Sequence, residues 1–485
     1  MAARPNILIF MTDHQRGDTL APDSSCITPN VDRFRTRAVD FASASCPAPH
    51  CCPSRATFFT GLYPSQHGVW NNVDVDNTLS RGLHDGVRTW SEDLRDAGYR
   101  LYFSGKWHVS ASESPAGRGF ELLHHTHRYA KYSHRPYAAE WARYSSSRID
   151  EVDDPRGEGE IIRPGYRRYR QYGFDESPFG DQDVVRAAVD KLEKLDHEAE
   201  PWLLFVGPLG PHDPYNVPKR FYDLYSGVKL DLPVSAADRM ADKPALYRRT
   251  RARYAQLEER EQLESLRHYL AFCSYEDHLF GQLLDSLERT GHTDDTLVLY
   301  CSDHGDYAGA HGLWAKGLPC FREAYDICFM LGGPGIVRPG RSTDALVGLH
   351  DWAPTILDIC GINPGRSFPG RSLLPVLRDE EDHEPDYVFT QTNGNEIYGI
   401  QRAVWNRRWK YVFNSFDYDE LYDLEADPHE LVNLLHDSDP LAGPYAATVR
   451  EFCTAMWRFA QAMEDSIAND YIMTALAPFG PGVAR

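Results

Sequence analysis

Long apolar runs are missing from this chain. No stretch approaches the roughly 18 consecutive apolar residues that suggest a transmembrane helix, and no membrane partner is expected. Positive charge is also scarce. Lys and Arg number 51 against 71 Asp and Glu, a net charge of −20. Such a chain repels nucleic acid and anionic surfaces, so no nucleic-acid partner is expected. An anionic substrate would need a locally positive pocket inside an acidic protein. A disulfide framework is lacking too. The ten cysteines are scattered, and no CxxC or HxxxH spacing supports a structural zinc site. The apolar run Ile7–Met11 is too short, and wrongly flanked, for a secretory leader. A cytoplasmic protein with reduced thiols is the expectation. No internal repeat is present.

What is present is a β-α-β-α rhythm. The chain has 485 residues, too many for one ordinary core, so a large domain plus a smaller one is expected. The run 6–11 (NILIFM) is apolar on both faces, as in a buried parallel strand. A helix is expected to begin after Pro53, and others over 89–98, 183–195 and about 259–289. Each of these last three feeds an apolar strand. The reading is an α/β fold with a large, mostly parallel sheet flanked by helices. Polar and aromatic stretches at 124–172 and 215–255 read as long insertions that shape a pocket. A charged linker over 377–386 precedes short strands and a helix, a small antiparallel α+β unit. The boundaries read are 1–378, 386–463 and a C-terminal arm over 464–485, the arm suggesting a homo-oligomer.

Chemistry-bearing residues follow the expected strands. Asp13 and His14 come after the first, Lys106 and His108 after LYFSG, His212 and Asp213 after LLFVG, and Asp303 and His304 after LVLYC. In open α/β sheets the carboxyl ends of strands form the ligand crevice. Taken singly, each Asp reads as a turn or cap residue and each His as an ordinary histidine. Their shared position at strand ends argues for one site. Asp13, Asp303 and His304 suit Ca²⁺, Mg²⁺ or Mn²⁺.

These residues carry a family resemblance. Cys51-Cys52-Pro53-Ser54-Arg55, followed by Thr60-Gly61, resembles the C-x-P-S-R signature of formylglycine-dependent sulfatases in the alkaline phosphatase superfamily. Thr12-Asp13, Gly105-Lys106-Trp107-His108, Pro211-His212, Ser302-Asp303-His304-Gly305 and His311-Gly312-Leu313-Trp314 with Lys316-Gly317 match further family segments. So do 348–362, 368–377 and 420–434, and the similarity runs from about residue 5 to 435. The resemblance implies an alkaline phosphatase-like fold that hydrolyses organic sulfate monoesters to an alcohol or phenol plus sulfate. It implies that Cys51 is oxidised to Cα-formylglycine by a formylglycine-generating or anaerobic sulfatase-maturating enzyme. The hydrated aldehyde is then the nucleophile, and its second hydroxyl provides the exit from the sulfated intermediate. By the same resemblance Asp13, Asp303, His304 and Cys51 hold a divalent metal, Ca²⁺ first, with Mn²⁺ or Mg²⁺ as alternatives. His14 is a further candidate ligand. Arg55 holds the hydrate, Lys106 and Lys316 clamp sulfate oxygens, and His212 and Lys316 assist the leaving group. His108 is the base for the hemiacetal step. Asn71 or Asn72 contacts sulfate or substrate, with Asn72 placed among the substrate-binding residues.

Three rivals stand beside this reading. A phosphonate monoester or phosphodiester hydrolase of the same superfamily also uses formylglycine and carries a histidine beside the metal aspartate. It tends to lack the lysine and histidine of GKWH, which this chain keeps. A non-catalytic binding protein would leave Cys51 unconverted. A redox or zinc pair of Cys51 and Cys52 leaves Arg55, Lys106 and Lys316 unexplained. The leaving group is open among aryl, choline and sugar sulfates.

Overall fold

The computed structural model describes residues 4–125, 156–161, 168–169, 175–195, 200–380, 385–395, 397–468 and 476–484. Its large sheet contains β1 (Asn6–Thr12), β2 (Ala38–Ser45), β3 (Arg100–Gly105), β4 (Glu121–His125), β5 (Trp202–Gly207), β6 (Thr296–Ser302), β7 (Phe329–Gly332) and β8 (Arg341–Gly348). The order is β4-β3-β5-β1-β6-β7-β2-β8. Every neighbouring pair is parallel except those made by β7, which runs antiparallel to β6 and β2. Strands β5 and β6 are buried along their whole length, β1 along all but its first residue. That is why their sequences are apolar without alternation.

Register decides where the site lies. Thr12 pairs with Ser302, Phe10 with Val206 and Gly105 with Gly207. Strands β1, β3, β5 and β6 therefore end nearly level, and the residues just beyond them meet at one edge of the sheet. The crossings are tight. Gly105 has φ +111°, and a Cβ there would stand 2.1 Å from the Gly207 carbonyl oxygen. Only glycine fits that conformation at that distance.

The helix expected after Pro53 begins two residues earlier, at Cys51, and runs to Thr60 with all its residues buried. Pro53 lies in the first turn, where a missing N–H removes no intrahelical bond. Gly61, at φ +72°, closes it. The longest helix is Glu259–Thr290, ending at Gly291. The stretch 215–255 departs from its reading as an insertion, because Tyr215, Tyr225, Met240 and Tyr247 are fully buried. Their hydroxyls find partners inside: Tyr225 lies 2.7 Å from Ser274 Oγ, and Tyr247 donates to Glu420 Oε1 at 2.8 Å. Tyrosine composition looks exposed in sequence, but a satisfied hydroxyl lets the ring enter a core. Much of 124–172, including Tyr129, Tyr132 and Tyr137, lies outside the described residues.

A second sheet, antiparallel and ordered β12-β11-β10-β9, contains β9 (Val388–Gly394), β10 (Tyr398–Trp405), β11 (Trp409–Asn414) and β12 (Glu420–Asp423). Helix Ala446–Ala462 packs on it through Val449, Phe452, Met456 and Trp457. Lys410, buried, joins this sheet to the large unit by donating to Glu430 Oε1 at 2.6 Å and to the Cys320 carbonyl. Residues 476–484 fold back on the same helix, where Trp457 Nε1 donates to the Phe479 carbonyl at 2.8 Å. Among the described residues no helix is long and apolar enough to cross a membrane.

Candidate active site

Cys51 is the first residue of its helix, so its side chain sits at the positive end of the helix dipole. Around it the strand ends bring several of these side chains together. His304 Nε2 and Lys316 Nζ each lie 3.2 Å from Cys51 Sγ, and Asp13 Oδ1 is 3.5 Å away. Lys106 Nζ donates to Asp13 Oδ2, and Lys316 Nζ contacts His14 Nε2 and lies 3.4 Å from His212 Nε2. All of these side chains are buried except His212, which is 23% exposed and marks the open side, and Lys316, which is half-buried.

The second aspartate is held rigidly. Asp303 Oδ1 accepts backbone N–H groups from His304 at 2.9 Å and His14 at 3.3 Å. Its Oδ2 accepts from Arg55 Nε at 2.7 Å, while Arg55 Nη1 donates to the Lys106 carbonyl at 2.9 Å. Arg55 thus ties the helix that starts at Cys51 to the ends of β3 and β6. Asn72 Oδ1 accepts the Cys52 N–H at 3.1 Å, and Asn71 Oδ1 accepts from Thr78 and Leu79. Both asparagines build the loop beside the helix start.

Electrostatics follow from this crowding. Burial opposes ionisation of Cys51, yet Lys106, Lys316 and His304 pull its thiol well below the ordinary range. Burial and Cys51 push Asp13 up, but Lys106, His212 and His14 outweigh them and hold the carboxyl below the usual carboxylate range. His14 is raised to about 9: burial and Lys316 work against its charge, and the bond to Asp306 and the nearby Asp13 overcome them. Burial, His14 and Lys316 lower His212 below its ordinary value. Burial opposes charge on His108 as well, but Cys52 and Asp74 raise it well above the ordinary value.

One donor atom from each of Asp13, His14, Cys51 and His304 lies within 4.8 Å of the others. The carboxylate and imidazole donors among them fit a divalent cation. Asp303 Oδ1 stands 3.7 Å from His304 Nε2 at the edge of this group.

Two of three further carboxylates, Asp306 and Asp74, did not stand out in the sequence, and the third, Asp213, was read at its strand end without a role. Asp306 Oδ2 lies 2.9 Å from His14 Nδ1 and accepts from Tyr215 at 3.0 Å. Asp213 is bound by buried Arg168 at 3.0 Å and lies 3.8 Å from His14 Nδ1. Asp74 Oδ1 is 3.0 Å from His108 Nε2. Asp306 sits two residues after His304, which was the only available signal for it. Asp74 carried none.

A buried cysteine at a helix start, two lysines and a cluster able to hold a cation at the carboxyl edge of a mixed sheet are the parts needed to hydrolyse esters of tetrahedral oxyanions. The sulfatase family model matches residues 5–362, and the model for the C-terminal part of N-sulphoglucosamine sulphohydrolase matches 309–445. The chain belongs to the sulfatase family and hydrolyses sulfuric esters. It is 31% identical over 496 residues to a choline-sulfatase of Rhizobium meliloti (strain 1021), covering 97% of this chain and 91% of that one. An arylsulfatase of Clostridium perfringens (strain 13 / Type A) is 26% identical over 471 residues, covering 90% and 91%. The fold is shared with a phosphonate monoester hydrolase of Agrobacterium radiobacter, at 22% identity and TM-score 0.76 over 95% of this chain and 96% of that one.

Proposed function

We propose that Cys51, matured to Cα-formylglycine, is the nucleophile of a metal-dependent sulfatase acting on organic sulfate monoesters. The observation that carries this reading is the setting of Cys51: buried, at a helix N-terminus, with His304 and Lys316 each 3.2 Å from its sulfur. Asp13, Asp303, His304 and the residue-51 side chain, with His14 beside them, would hold a divalent cation, which would lower the pKa of the hydrate and offset negative charge of the sulfate. Ca²⁺ is the first assignment, and Mn²⁺ is the alternative favoured by the two imidazoles.

The chain's own residues do the rest. Arg55, anchored on Asp303, orients the hydrate. Lys106 and Lys316 bind the sulfate oxygens and meet the charge that grows on them in the transition state. Asn72 completes the substrate-binding set with Lys106, His212 and Lys316. The leaving oxygen takes its proton from Lys316, with His212 beside it. His108, in its deprotonated form, removes the proton of the second hydroxyl, the carbonyl re-forms, and sulfate departs, so this step quickens as pH rises toward the raised His108 value. Maturation requires a formylglycine-generating or anaerobic sulfatase-maturating enzyme, and we place the protein in the cytoplasm. The unit boundaries at 378 and 386 and a homo-oligomer complete the reading.

The choline-sulfatase relative puts choline sulfate first in a panel with an aryl sulfate, sulfated monosaccharides and phenyl phosphonate. Turnover of a sulfate ester by the wild type, and its near-complete loss in Cys51→Ala with the fold kept by circular dichroism, is the expected result. Wild-type-like turnover in that variant contradicts the covalent route. Preference for phenyl phosphonate over every sulfate ester would favour the phosphonate hydrolase instead.

A further inference from the structure

Cys52 fills the variable position of the signature and has no part in the mechanism. It is fully buried. Its sulfur accepts the Val73 N–H at 3.3 Å, and its own N–H is fixed by Asn72. Two other side chains converge on it. His108 follows β3 with φ +55°, and its Nε2 stands 3.0 Å from Asp74 Oδ1. One donor atom from each of Cys52, Asp74 and His108 lies within 4.8 Å of the other two. Another group of the same kind, His14 with His212 and Asp213, shares His14 with the catalytic cluster and belongs to it.

We propose that Cys52, Asp74 and His108 form a second, inhibitory metal site that takes a borderline-soft dication of the Zn²⁺ class. The donor set is one sulfur, one nitrogen and one oxygen. Tetrahedral zinc, with its usual bond lengths to sulfur, nitrogen and oxygen, needs donors about 3.3–3.6 Å apart. The three groups reach that spacing with side-chain shifts of about 1 Å or less. Softness separates the two sites. A thiolate selects zinc or cobalt over Ca²⁺, Mg²⁺ and Mn²⁺, whereas the Asp13 cluster, once residue 51 carries oxygen, offers only oxygen and imidazole donors. Thiolate and carboxylate together balance the dication's charge, and the thiol proton passes to solvent on binding. Entry is from the Asp74 side, whose side chain is 25% exposed. The fourth position is left to water.

Occupancy has a direct consequence. His108 is assigned above as the base for the hemiacetal step, and a coordinated imidazole has no lone pair left to take a proton. Zinc at this site therefore stops turnover without displacing the catalytic cation. This inhibition rests on the reading under Proposed function, whereas binding does not.

The test has two arms. Co²⁺ is added to Cys51→Ala and to Cys51→Ala/Cys52→Ala, each already loaded with Ca²⁺. A thiolate-to-cobalt charge-transfer band in the first protein and its absence in the second is expected. No such band in Cys51→Ala overturns the site. In the second arm, turnover is measured against added Zn²⁺ in the matured wild type and in Cys52→Ala, with the near-isosteric Cys52→Ser as a second variant. Basal turnover should persist in both variants, and the zinc concentration for half inhibition should rise about tenfold or more when the ligand is lost. Equal zinc sensitivity in wild type and variants overturns the inhibitory role. If no sulfate ester is turned over at all, the cobalt arm still decides whether the site exists.

Discussion

Lys106 shows how much one residue carries. It follows the last residue of β3, its N–H donates to the Gly207 carbonyl at 2.8 Å, and its ammonium reaches Asp13 beside Cys51. Burial works against its charge, but Asp13 and Cys51 keep it cationic. Removing such a donor from a water-poor site raises the barrier by about 2–4 kcal/mol. Lys106→Ala should therefore lower kcat for a sulfate ester by roughly 30- to 900-fold, while thermal unfolding stays cooperative. A kcat within a factor of about two of wild type would mean that the sulfate sits elsewhere. At this scale most of the candidate site was legible, because Asp13, Cys51, Lys106, Asp303, His304 and Lys316 lie in dense local motifs. Asp74 was not. It meets His108 only because the long loop between the helices Pro64–His67 and Trp90–Asp96 folds back to the end of β3, and nothing local in VDVDN encodes that contact.

At the scale of elements, the long helix Glu259–Thr290 carries a buried charge problem. Glu276 is fully buried, and its carboxyl oxygens have no hydrogen-bond partner among the described residues. Burial, helped by Asp181, raises its pKa well above the ordinary 4.5. Its pKa is thus higher folded than unfolded. The stability it contributes is full below about pH 4.5 and is lost as pH rises through the raised folded value. Denaturant unfolding across that range should show stability falling with pH in wild type, and Glu276→Gln should flatten the fall. An unchanged slope in Glu276→Gln would show that the carboxyl is not protonated in the fold. The helix itself was readable from its apolar spacing and from Gly291. Its buried face also holds Glu261, Asp277 and Glu276, which periodicity assigns to solvent.

For the whole molecule, the proposed ligands to one cation come from loops after β1 and β6 and from the helix that follows β2. An ion shared by these elements binds the folded chain and not the unfolded one. At a free concentration one hundred times its Kd it should stabilise the fold by about 2.7 kcal/mol. Chelation should then lower the melting temperature and abolish turnover, and Ca²⁺ or Mn²⁺ should restore both. Unchanged melting and activity after exhaustive chelation would remove the cation from the account. The alternation of apolar strands and amphipathic helices made the large sheet legible, as the charged linker and short strands did the small one. The packing of 215–255 was not, since buried tyrosines are told from exposed ones only by distant partners such as Glu420.

The central claim is the chemistry of residue 51. Mass spectrometry of the peptide containing Cys51, from protein made in its native host, tests it directly. The account predicts that one sulfur and two hydrogens are replaced by one oxygen, giving an aldehyde that reacts with hydrazide reagents. A thiol alone, in protein that turns over sulfate esters at full rate, would contradict it.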